Sequence, residues 1–135
     1  MNIVVETGEG VYTIDAETDE VVDFVAGAEL SETPEPRVEL PLLVAAAREG
    51  STVVAVLDRR PPLAVSHDAG SSWHEAGGGL PPGRAIAIAE SDPDQIVYAT
   101  EHRVYVSKDG GRFWRSLEPE LPEIKRVAYL DPQMI

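Results

Sequence analysis

The chain has no cysteine. That single absence removes disulfide staples, thiolate metal sites, iron–sulfur clusters and thiol nucleophiles together, and it leaves the redox compartment open. Positive charge is scarce as well: Lys108 and Lys125 are the two lysines, and with nine arginines they face 24 acidic residues, for a net charge of −13. Phosphate recognition needs a positive face, so neither DNA nor RNA is an expected partner. No apolar run approaches the length of a membrane span, and Met1–Gly10 has neither the basic start nor the apolar centre of a signal peptide. The expectation is a soluble, cytoplasmic protein with no membrane contact. At 135 residues and 14.6 kDa there is material for one domain with a real core.

What is present is a repeat. Ser66-His67-Asp68-Ala69-Gly70-Ser71-Ser72-Trp73 and Ser107-Lys108-Asp109-Gly110-Gly111-Arg112-Phe113-Trp114 agree at Ser, Asp, Gly and Trp with one constant offset of 41 residues. Self-similarity at a fixed period points to a repeat architecture. The flanks agree too, since Pro62-Leu63-Ala64-Val65 and Arg103-Val104-Tyr105-Val106 both read as strands.

These two segments resemble the Asp-box, or BNR repeat, with the pattern S-x-D-x-G-x-x-W. The resemblance implies a β-propeller similar to the sialidase-like and sortilin-like ones, in which the box is the turn between the third and fourth strands of a blade. The physics of such a turn suits the residues. A short carboxylate accepts hydrogen bonds from its own backbone, glycine supplies the positive φ, and tryptophan buries a large apolar surface. Ser66, Asp68, Gly70, Trp73, Ser107, Asp109, Gly111 and Trp114 are therefore expected to be structural fasteners, with no metal held by either aspartate. The acidic, lysine-poor composition is in turn similar to that of haloarchaeal proteins, whose self-repulsion is screened by salt.

The rest of the chain extends the repeat. One four-stranded blade is expected from Arg84–Ala89, Ile96–Thr100, Arg103–Ser107 and Phe113–Leu117, with Ser91–Asp94 as a turn; another from Leu43–Ala47, Val53–Leu57, Leu63–Ser66 and Ser72–Glu75. Asn2–Thr7 aligns without a gap on Gln95–Thr100, and Val11-Tyr12 on Val104-Tyr105, so the chain begins at a second strand. Val21–Val25 supplies a fourth strand after the turn Ile14–Asp19. At the other end, Ile124–Leu130 matches an inner strand, followed by Asp131-Pro132 as Asp92-Pro93 follows the earlier one. The expectation is an all-β, single half-propeller domain over residues 1–135. Blade 1 combines strands within 2–25 with the inner strand 124–130; blade 2 spans 43–75 and blade 3 spans 84–117.

Three blades are too few to close a ring that takes about four to eight. Two chains around a two-fold axis would give a six-bladed homodimer, the split blade being completed in cis or in trans. The competing readings are a piece of a longer protein and a distorted single-chain β fold.

Binding residues concentrate on loops. The channel-face loops are expected at Glu6–Gly10, Ala26–Pro41, Asp58–Pro62, Gly77–Gly83, Glu101–Arg103 and Glu118–Glu123. Arg37, Arg59, Arg60, Arg84, His102 and Arg103 are the candidate ligand-binding residues; arginine forks suit carboxylates, sulfates or phosphates. The plainer reading pairs these arginines with neighbours such as Glu6, Glu9, Asp58 and Glu101. Ala26–Pro41, with Ser31–Pro36 inside it, is expected to be an extended, mobile loop, open to reading as a lid, an arm embracing a second subunit, or a tolerated insertion.

No cofactor is called for. The sialidase resemblance implies three arginines, a tyrosine nucleophile with a glutamate, and an aspartate acid. Here Arg37 with Pro41 and Asp58-Arg59-Arg60 are a loose echo, and the diagnostic Arg-Ile-Pro run is missing. His67, His74 and His102 form no legible triad or metal cluster. The expected function is a non-enzymatic binding or scaffold propeller that takes a partner protein or small anionic ligand on its channel face. The alternative is a glycan-directed propeller, either lectin or sialidase-like glycosidase.

Overall fold

A computed structural model describes residues 1–32 and 34–130. Asp131-Pro132, and Thr33 within the Ser31–Pro36 stretch, lie outside the described residues. The described chain is all-β: β1 (Asn2–Thr7), β2 (Gly10–Asp15), β3 (Glu20–Ala26), β4 (Leu43–Glu49), β5 (Thr52–Leu57), β6 (Leu63–Ser66), β7 (His74–Ala76), β8 (Ala85–Ala89), β9 (Asp92–Ala99), β10 (Val104–Ser107), β11 (Arg115–Ser116) and β12 (Ile124–Leu130).

These strands form three four-stranded antiparallel sheets. Sheet I has the order β12-β1-β2-β3, sheet II β4-β5-β6-β7 and sheet III β8-β9-β10-β11. In sheet I the last strand of the chain lies beside its first, Asn2 facing Leu130 and Glu6 facing Arg126, within the same chain.

The sheets stack in a propeller-like row with III in the middle, its inner strand β8 beside both β4 and β12. Alternation along each strand decides what meets at the two joints. Sheet II turns Val54, Val56, Leu63 and Val65 toward Ile86, Ile96 and Tyr98 of sheet III. The opposite face of sheet III, with Val97, Ala99, Val104 and Val106, packs on Ile3, Val5 and Ile14 of sheet I. The residues one and three positions before the box serine thus face the next sheet in both cases. Calling that face leading and its opposite trailing, each joint sets a leading face on a trailing one.

The outer strands depart from the expected bounds. Ser72–Glu75 and Phe113–Leu117 are replaced by the shorter, later β7 and β11. The reason is local: the Ser72 and Phe113 N–H groups donate to the box aspartates, not to a neighbouring strand. Asp92, expected within a turn, pairs instead with Ala89 and opens β9.

Candidate functional site

Two ends of the stack carry different chemistry. At one end lie the box turns. In the first, Ser66 Oγ accepts from Gly70 N–H at 2.8 Å and donates to Asp68 Oδ1 at 2.7 Å, while Asp68 also accepts from Ser72 N–H (2.8 Å) and Ser72 Oγ (2.5 Å). The second repeats the pattern, Ser107 Oγ accepting from Gly111 N–H at 2.9 Å and donating to Asp109 Oδ1 at 2.8 Å. Gly70 and Gly111 hold φ of 93° and 94° beneath the tryptophan rings, a backbone that side chains rarely adopt. Trp114 lies edge-on to Tyr98 between sheets II and III. Trp73 sits on the outer, trailing face of sheet II.

With their carboxylates saturated by their own turns, Asp68 and Asp109 are held as anions. Hydrogen bonds from Ser72 and Ser66 bring the Asp68 carboxyl down to about 2, and the Phe113 N–H and Ser107 hydroxyl lower that of Asp109. The unfolded carboxyl titrates near ~3.9. A depressed native value means that this contribution is complete above the unfolded value and is lost as pH falls through about 2. Melting temperatures of the wild type and Asp68→Asn, followed from pH 6 to pH 2, should therefore differ most above about pH 4 and converge toward pH 2. A gap that stays constant to the lowest pH would contradict the assignment.

The opposite end gathers the loops joining β1 to β2, β5 to β6 and β9 to β10 with the sheet-to-sheet connections. Backbone bonds tie them together: Gly8 N–H to Glu123 O, Leu121 N–H to His102 O and Ile124 N–H to Glu101 O. Three of the six candidate residues meet here. Arg84 donates to Glu123 at 2.6 Å and lies 3.8 Å from Glu101; His102 Nδ1 contacts Leu121 O at 2.9 Å and its Nε2 stands 3.6 Å from Glu101. Arg103 reaches Glu120 at 3.5 Å and the carbonyls of Leu117 and Glu118. The Glu123 hydrogen bond raises the Arg84 pKa, and Arg84 correspondingly lowers that of Glu123.

The other three lie apart from this cluster. Arg59 pairs with Glu75 of β7 at 3.3 Å, and Arg37 pairs with Glu39 on the β3–β4 linker. Arg60 precedes Pro61 through a cis peptide bond and makes no ion pair among the described residues. Each paired candidate arginine thus has a carboxylate beside it, but of the neighbours expected from sequence only Glu101 serves one of them, Arg84. Glu6 is buried and binds Arg126 at 3.5 Å, a residue of β12 that the loop-based reading missed. Glu6 and Arg126 face each other across the β1–β12 pair, a register that the sequence alone does not fix.

Between the ends lies a cavity of about 1020 Å³, walled by β4, β8 and β12 and, on the remaining side, by Leu30, Glu32, Pro34 and Pro36 of the linker. Small residues dominate the strand wall, including Ala45, Ala47, Ala85, Ala87 and Ala128. Tyr129 also lines it, its buried hydroxyl without a partner among the described residues and its pKa pushed up by burial. Among the described residues no three His, Asp or Glu side chains converge as a metal site. No helix of the described residues is long and apolar enough to cross a membrane.

No protein family and no curated protein matches the chain. Among solved structures, the Niastella koreensis GH74 enzyme is similar at 20% identity and a TM-score of 0.47, over 89% of this chain and 18% of its own. The chain therefore spans less than a fifth of that enzyme's length.

Proposed function

We propose that this chain is a non-enzymatic binding or scaffold propeller that works as a six-bladed homodimer and recognises a partner protein on its loop rim. The observation that carries the reading is the rim itself, where Arg84, His102 and Arg103 alternate with Glu101, Glu120 and Glu123 in exposed pairs. A small anion would have to displace these carboxylates from the arginines. A protein surface with both signs of charge can exchange pairs with them, and such rims govern specificity and association rate. The ring is supported by the stacking. Sheets II, III and I repeat one leading-to-trailing contact and leave one unmatched face of each kind, and a two-fold pair of chains would match both.

Light scattering in molar salt tests the assembly: twice the 14.6 kDa chain is expected, and a monomer across the accessible concentration range removes the ring. The glycan-directed reading is favoured by the resemblance of the boxes to those of sialidases. Sialosides and chromogenic glycosides should show no turnover. Turnover abolished by Arg59→Ala or Arg103→Ala would overturn the scaffold reading, and saturable sugar binding without turnover would replace it with a lectin.

A further inference from the structure

The trailing faces of the three sheets differ at one equivalent cross-strand pair. Sheet I has Val5 opposite Tyr12 and sheet III has Tyr98 opposite Tyr105, and each pair faces a neighbouring sheet. Sheet II has Ala55 opposite Ala64, and no sheet covers it in the single chain. The room left by the two alanines is filled by Val38 and Leu40 of the β3–β4 linker, which pack with Trp73 against Ala55, Leu57 and Ala64. Exposure alternates along this stretch: Pro36, Val38 and Leu40 are half-buried while Arg37 and Glu39 point outward and pair with each other at 3.5 Å. The expectation of a wholly mobile linker is thus corrected, because a segment with no core of its own borrows that of sheet II. It is a cap, apolar beneath and charged above.

We infer that Pro36–Leu40 is a displaceable cap and that its docking competes with a second copy's sheet I for the trailing face of sheet II. The inference rests on the ring reading above and adds the contact that regulates it. Two observations favour a second copy as the competing occupant. The stacking seen at both internal joints directs a leading face onto a trailing one, and the free leading face here is that of sheet I. That face presents Val4, Val11 and Val25, with Val25 half-exposed at 52%, beside the Glu6–Arg126 pair to which the Leu30 backbone is bonded. Leu42, at the junction of the linker with β4, is held at a φ of 62° and is exposed, a backbone that disfavours a bulky residue and that, on this proposal, cap release relaxes.

The test is the dimer dissociation constant in molar salt, measured by sedimentation equilibrium. Val38→Ser/Leu40→Ser loosens the cap and should tighten the dimer at least tenfold. A synthetic nonapeptide matching residues 34–42 should bind that variant and return it to monomer. Leu42→Gly removes the strain from the capped state; it should weaken the dimer several-fold, and it serves if the double variant fails to fold. If the wild type dimerises but the variants and the peptide leave the constant unmoved, the cap is overturned and the ring stands. If the wild type does not dimerise, the ring falls and the inference falls with it.

Discussion

Tyr98→Ala is expected to lower the free energy of unfolding by roughly 3–5 kcal/mol, the range for truncating a fully buried aromatic. Tyr98 is completely buried in the centre of the middle sheet, on the face turned toward sheet II. Its ring meets Trp114 edge-on at 6.0 Å and Tyr105 at 6.3 Å, so three of the chain's few aromatics share one cluster. The hydroxyl donates to Pro81 O at 2.6 Å, and burial pushes its pKa up, keeping the donor protonated. Alanine would leave a hole between two sheets and strip a carbonyl of its partner. Tyr98→Phe keeps the ring and loses the hydrogen bond, for about 1 kcal/mol. The site also explains Gly83: a Cβ there would stand 2.2 Å from the tyrosine ring. Urea titrations with unchanged slope and a lowered midpoint are the check. A Tyr98→Ala variant within about 1 kcal/mol of the wild type would mean that the ring is not buried between sheets.

Deleting residues 124–135 is expected to abolish cooperative unfolding. The deletion removes β12, and with it Ile124 and Val127 from the joint between sheets III and I. It also strips β1 of one of its two partners along its whole length and opens Ile3 and Val5, both fully buried, to water. An unpaired inner edge next to an opened apolar joint promotes association between chains. The truncated chain should therefore lack a sharp thermal transition, bind hydrophobic dyes and elute as aggregate. A truncated protein that melts cooperatively near the wild-type temperature would show that the C-terminal segment is dispensable to sheet I.

Much of this architecture is legible in the sequence because it follows from repetition. The 41-residue offset between the boxes places β6 and β10 in equivalent positions, and the gapless match of Asn2–Thr7 to Gln95–Thr100 makes β1 a second strand in want of a first. Pairing with β12 supplies that strand. What was not legible depends on tertiary choices. Ala26–Pro41 reads as an acidic, proline-punctuated loop, and the packing of Val38 and Leu40 becomes visible only once Ala55 and Ala64 are seen to face each other under them. Likewise the arginines announce ion pairs, yet an abundance of carboxylates offers no rule for selecting Glu75, Glu120 and Glu123 as partners. The outer strands came out short because the box aspartates take backbone donors that strand pairing would otherwise use.

The account depends on the first and last strands of the chain being neighbours in one sheet. Nuclear Overhauser contacts between backbone protons of Asn2–Glu6 and those of Arg126–Leu130, recorded in molar salt on a mixture of isotope-labelled and unlabelled protein, measure this directly. Contacts in the antiparallel register that pairs Val4 with Ala128 and Glu6 with Arg126, arising within one labelled chain, are the predicted result. Their absence, with β12 contacting some other strand, would contradict the account; contacts seen only between differently labelled chains would keep the sheet but show that a second copy completes it.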